Sequence, residues 1–241
     1  MPRYLAFTKM RKSFITILSS STALKVIDFL YAFILIYMLV PADYGTQRLV
    51  IGTATLLYTI FSLNYHEGIT HYCLSSKSDE ELGKTLYSGI IPRLILAIMT
   101  STILWTLAGE ISNFYGLNIT KFIQIFALYP LLMTIAQTDV IFLKYRLFTL
   151  KAATDISTRV VKVTAGIILV HYGWKVMGVV VGLAISWGFY TGISLLVFMY
   201  YGRNWKLSIN TETMKLMLDY SLPLWVAGIF SFLFTQGNVL L

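Results

Sequence analysis

The chain has 241 residues, of which 57% are hydrophobic and only 12% charged, with a mean hydropathy of +0.72. A soluble domain of this length carries roughly twice that charged fraction, so the composition excludes one and points to a polytopic membrane protein. The net charge of +8 is not a nucleic-acid signal, because most basic residues fall in short loops on one side, as the positive-inside rule requires.

Seven apolar spans are predicted, over 14–40, 46–66, 86–108, 119–143, 155–171, 176–200 and 218–241. The first is longer than the ~20 residues a helix needs to cross a bilayer. It follows the basic residues Lys9, Arg11 and Lys12, and its length and internal charges argue against a cleaved signal peptide. Ser21, Lys25 and Asp28 recur on it at helical spacing, so one face carries a cation and an anion near mid-membrane. Intramembrane ionisable groups normally face a protein interior or a wet cavity. Lys25 and Asp28 can neutralise each other at i, i+3, but such pairs contribute only ~0.2–0.5 kcal/mol. Burial costs several kcal/mol, which favours a cavity-facing role for at least one of them.

Pro41 and Gly45 predict a tight turn over 39–45. Span two then carries Gly52, Thr55, Thr59, Ser62 and His66 on one face, suited to helix packing or to lining a polar cavity. Loop 67–85 contains Ser78-Asp79-Glu80-Glu81, the form of a capping box that starts a helix. Arg93 follows near the start of span three, placed either to snorkel to the headgroups or to meet an anionic substrate at the cytoplasmic mouth.

Tyr129-Pro130 predicts a kink in span four. Asp139 near its end stands five residues before Lys144, spaced for an interfacial ion pair or for a transport role. On span five, Asp155, Arg159, Lys162 and Gly166 fall on one face, with Lys162 deep enough either to snorkel or to face a cavity. Span six has a stripe of Gly178, Gly182, Ser186, Gly188 and Gly192, read as a close-packing face. Segment 201–217 is basic and then amphipathic, with a helix start at Asn210-Thr211-Glu212, and resembles an interfacial helix. Span seven ends inside an apolar run, as a truncated chain would.

Lys and Arg concentrate in the N-terminal tail, 67–85 with Arg93, 144–162 and 201–217. The N-terminus is therefore expected in the cytoplasm and the protein in the cell membrane. The single cysteine, Cys73, rules out an internal disulfide. No Gly-rich loop ends in Gly-Lys-Ser/Thr, no histidine pair is spaced for a metal, and no hydrolase triad stands out. No enzyme activity, metal, cofactor or nucleic-acid partner is expected.

Four strings carry a family resemblance: Leu39–Gly45 (LVPADYG), Phe61–Tyr72 (FSLNYHEGITHY), Lys144–Gly166, and Asp219–Leu241 (DYSLPLWVAGIFSFLFTQGNVLL). Together they resemble the polysaccharide biosynthesis flippases, the O-antigen and teichoic-acid exporters of the multidrug/oligosaccharidyl-lipid/polysaccharide exporter superfamily. The resemblance implies an all-α fold of two six-helix lobes around a cavity that opens alternately to each side. Residues 1–200 would form the first lobe, 201–217 a cytoplasmic amphipathic linker, and 218–241 the first helix of an incomplete second lobe. A second lobe or polypeptide would complete the transporter, with membrane lipids and a lipid-linked saccharide as partners. Many members carry an acidic residue near the end of span seven, where this chain has Gly237-Asn238.

A lipid-linked saccharide joins a polyprenyl tail to sugar through a pyrophosphate. The cations expected to meet it are Lys25 and Lys162, with Arg93 and Arg159 nearer the mouth. Asp28 and Asp139 are expected to couple an ion or compensate charge, and Ser21, Thr55, Thr59 and Ser62 to line the cavity. The alternatives are a cation-coupled multidrug extruder of the same superfamily and a half-protein that transports nothing.

Overall fold

The computed structural model describes residues 18–235. Arg3, Lys9, Arg11 and Lys12, and the Gly237-Asn238 pair, lie outside the described residues. The fold is an all-α membrane bundle, with no strand among the described residues. Five helical stretches are long and apolar enough to cross a membrane: Leu18–Met38, Asp79–Phe114, Thr120–Lys144, Phe148–Tyr201 and Thr211–Thr235. Seven spans were expected. The fourth stretch doubles back on itself, and the helix of span two is diluted by Thr46, Gln47 and Arg48.

Helix α1 (Pro2–Met38) is separated from α2 (Pro41–Phe61) by only two residues. The predicted turn over 39–45 is shorter than expected, because Pro41 begins a helix instead of ending one. A proline in the first turn lacks only an N–H that the helix leaves unpaired there. Asp43 in that turn suits the positive end of the helix dipole.

After α2 the chain breaks sharply, with Leu63 and Asn64 both at φ 50° in the left-handed region. Helix α3 (Tyr65–Ser75) follows, where mostly loop was expected. Tyr65, Ile69 and Cys73, four residues apart, bury on one core. Helix α4 (Asp79–Phe114) starts at the expected cap: Ser78 Oγ accepts the Glu81 N–H at 3.2 Å, and the Glu81 carboxylate accepts the Lys77 N–H at 2.6 Å. At 1.5 Å per residue its 36 residues reach roughly 54 Å, well beyond a bilayer's hydrocarbon core.

Span four is interrupted more than one proline kink requires. It comprises α5 (Thr120–Phe126), α6 (Tyr129–Ala136), a tight 3-10 turn at Gln137–Asp139, and α7 (Val140–Lys144). Pro130 opens α6, where its missing N–H costs least. Helices α8 (Phe148–Leu169) and α9 (Lys175–Tyr201) form an antiparallel hairpin across Gly173 (φ 87°) and Lys175 (φ 47°). Gly178 and Gly182 permit that packing. A Cβ on Gly182 would lie 2.8 Å from the Gly166 nitrogen, and one on Gly178 2.8 Å from the Val170 nitrogen. The expected stripe continues to the buried Ser186 but not to Gly188 and Gly192, which meet nothing within 4 Å.

Helix α10 (Thr211–Leu240) begins at the expected Asn210 cap, whose Oδ1 accepts the Glu212 N–H at 2.9 Å. It runs without a break through the boundary at 217, so no separate interfacial helix forms. Its Met217 is fully buried against α3 and α4. One core joins α2, α4, α5 and α9 through Val50, Leu104, Ile123 and Val180. A second, at the other end of α4, joins α3, α4, α7 and α10, and a third packs α1 against the α8–α9 hairpin through Tyr31, Leu35 and Val179.

Candidate functional site

The α8 stripe read from the sequence faces α1. Lys162 Nζ donates to Asp28 Oδ1, and Arg159 Nη1 reaches the same oxygen at 3.3 Å. Four residues on, Gly166 leaves the space that the Tyr31 hydroxyl fills. Asp28 therefore pairs across helices and not with Lys25, the intrahelical alternative. A lysine preceding an aspartate on one helix is the weaker order, whereas α8 presents two cations to one carboxylate. Lys162 does not snorkel: its side chain is 10% exposed, and its ammonium lies 5.4 Å from the Tyr31 ring centroid, within cation–π range. One carboxylate against two cations leaves a local excess of one positive charge.

Two adjoining cavities of about 430 and 340 Å³ share Tyr129, Arg159, Lys162, Leu183 and Trp187, and together form one cleft. The larger continues past Tyr31, Tyr44, Gln47, Arg48 and Thr55. Its aromatic wall is tightly packed, with Trp187 4.7 Å from Tyr129 and 4.8 Å from Phe126 between ring centroids. The smaller continues past Thr158 to Asp155 and Tyr190. There Lys151 bonds Asp155 at 2.7 Å and the Tyr190 hydroxyl at 2.9 Å, and Tyr190 donates to Asp139 at 2.6 Å.

The cleft gathers Lys162, Arg159, Asp28 and Thr55, and Asp139 stands behind Tyr190 at its end. Asp139 does not pair with Lys144 as its spacing suggested; Lys151 is its ion partner at 3.8 Å. Lys144 instead reaches the carbonyls of Leu74 and Ser76 at the end of α3, because the turns between 137 and 147 carry it away. Lys25 is exposed and lines neither cavity. Ser21 is exposed too, its hydroxyl bonded to the Leu18 carbonyl at 3.0 Å. Thr59 turns its hydroxyl back to the Thr55 carbonyl at 2.9 Å. Ser62 and Arg93 line a separate small cavity, and Arg93 is buried inside the bundle instead of snorkelling.

The aromatic wall and the Gln47–Arg48 rim escaped the sequence reading. Aromatics in apolar spans carry no signal separating wall from core. Gln47 and Arg48 stand at the start of the predicted span two, where spacing alone gives no sign that they face a cleft.

A family model described as polysaccharide biosynthesis protein matches residues 34–241. The chain belongs to that family. Neither a curated protein nor a solved structure matches it. The matched region holds every cleft residue except Leu24, Asp28, Tyr31 and Ala32. The protein is thus a polytopic membrane protein of polysaccharide biosynthesis with a positively charged, aromatic-walled cleft.

Proposed function

We propose that the chain moves a lipid-linked saccharide precursor across the cell membrane by alternating access, with the cleft receiving its polar headgroup. The observation that carries this reading is the pairing of one carboxylate, Asp28, with two cations, Lys162 and Arg159, on the wall of an open cleft. The excess charge suits a diphosphate, and Arg159, 42% exposed, is placed to reach it. Tyr129 and Trp187 offer the flat apolar faces on which sugar rings stack. The tail requires an apolar surface, and α1 and α10 present one: Phe29, Phe33 and Phe234 are all exposed.

The distribution of Lys and Arg supports a cytoplasmic N-terminus. The chain supplies one lobe together with the first helix of a second lobe, which the same or another polypeptide completes. A cation-coupled drug extruder would favour acidic walls, and here the cations outnumber the acid at the centre of the cleft.

The test is saccharide export in cells that depend on this protein, completed by its second lobe. Lys162→Ala and Arg159→Ala are expected to reduce export at least tenfold while membrane levels hold. Lys25→Ala, outside the cleft, is expected to export normally. Undiminished export by the Lys162 and Arg159 variants together, or drug resistance in place of export, refutes the reading.

A further inference from the structure

Arg93 follows Pro92 within α4 and is only 8% exposed. It forms no ion pair with any carboxylate among the described residues. Its Nη1 has no hydrogen-bond partner. It lines a cavity of about 10 Å³ with Tyr58, Ser62, His66, Thr100 and Thr134. That is room for one water-sized particle. His66 Nδ1 is also buried without a partner. The hydroxyls of Thr100 and Thr134 already donate within their own helices, to the Leu96 carbonyl at 2.7 Å and the Pro130 carbonyl at 2.9 Å.

A buried cation without a counter-charge costs several kcal/mol. No acid among the described residues pairs with it directly. Asp139 is held by Tyr190 at 2.6 Å and Lys151 at 3.8 Å. Glu67 lies 3.4 Å from His66 Nε2, on the far side of the imidazole from Nδ1, and is 48% exposed. A water molecule fills the space but leaves the charge. A diphosphate or carboxylate ligand is too large for it.

We propose that this cavity binds a single halide-sized anion such as chloride, charged against the Arg93 guanidinium. The site shares no lining residue with the substrate cleft. It stands where α2 breaks at Leu63 and Asn64 and where α4 carries Pro92, with α6 as its third wall. Neutralising Arg93 there allows three irregular helix segments to pack against a cation, so the ion is a structural ligand of the joint.

The experiment is thermal unfolding of the purified full chain in detergent at constant ionic strength, with gluconate replaced stepwise by chloride or bromide. Both halides are expected to raise the melting temperature saturably, by about 3–6 °C at ten times the dissociation constant. Arg93→Gln is expected to remove the halide response and Arg93→Lys to keep most of it. Bromide should also give an anomalous scattering peak beside Arg93 in crystals. Equal melting temperatures in chloride, bromide and gluconate overturn the proposal and leave a water-filled cavity. That comparison is made on the wild-type chain, so it decides even if Arg93→Gln fails to fold.

Discussion

Replacing Lys162 by Met tests the charge cluster most directly. The substitution keeps much of the aliphatic stem and removes the ammonium that bonds Asp28. Breaking a fully buried ion pair costs ~3–5 kcal/mol. Here two features reduce that figure. The Asp28 side chain is 38% exposed, so water solvates part of the orphaned charge. Arg159 also remains 3.3 Å away as a second partner. The expected loss is about 1–2 kcal/mol, or a melting temperature lower by roughly 2–8 °C. Asp28→Asn should cost at least as much, because it leaves two cations facing each other across one neutral amide. The double variant Asp28→Asn/Lys162→Met restores a single cation, Arg159, and should recover part of the lost stability in a double-mutant cycle. Export should not recover with it, since the substrate loses Lys162 in either background. Thermal unfolding in detergent reads the first quantity and saccharide export the second. Additive stability losses from the two single variants would show that the pair is not coupled, and wild-type export by the double variant would remove Lys162 from the substrate path.

Gly182→Ala is expected to destabilise by about 1–3 kcal/mol, because its Cβ meets backbone on Gly166 that cannot rotate aside. Gly192→Ala, with open space around it, is the control and should be neutral or gain up to about 1 kcal/mol in the helix. Trp225→Phe removes the indole N–H that bonds the Thr59 and Ile60 carbonyls at 3.1 and 2.9 Å. It should cost about 1 kcal/mol and speed amide hydrogen exchange across 62–68. Gly68→Ala drives a Cβ to within 2.5 Å of the Met217 carbonyl oxygen, so it should loosen α10 from α3, read as proteolysis within 203–210.

What the sequence made legible follows from range. Ser78 and Asn210 announce their helices because a cap is completed within three residues. The α8 stripe shows through because Asp155, Arg159, Lys162 and Gly166 repeat at helical period. Its partner does not, because spacing within α1 allows Lys25 and Asp28 to pair and only the docking of α8 on α1 decides otherwise. Helix α3 was hidden because His66, Glu67 and His71 interrupt a short apolar pattern, and its burial depends on α10, distant in the chain. Arg93 reads as a headgroup contact or as a substrate contact at the mouth because hydropathy gives depth along a span and not which side of a helix faces protein.

The helices divide their contacts in a way that bears on the alternating access proposed above. The Asp28–Lys162–Arg159 cluster is built from α1 and α8 and backed by α9, and none of the described α10 residues lines either part of the cleft. α10 is held elsewhere, at the α2–α3 break, through Trp225 on the α2 carbonyls, Ser221 Oγ accepting the Gly68 N–H at 3.2 Å, and Tyr220 stacked on His71 at 4.3 Å. A rocking motion that moved α10 would therefore exchange those bonds and leave the charge cluster undistorted. The cleft would be carried as a unit, with its affinity for a headgroup set by access and not by rearranged ion pairs. On that logic Trp225→Phe should change the rate of export without changing its dependence on Arg159, whereas Arg159→Lys should change substrate affinity and leave exchange at the α2–α3 break as it was.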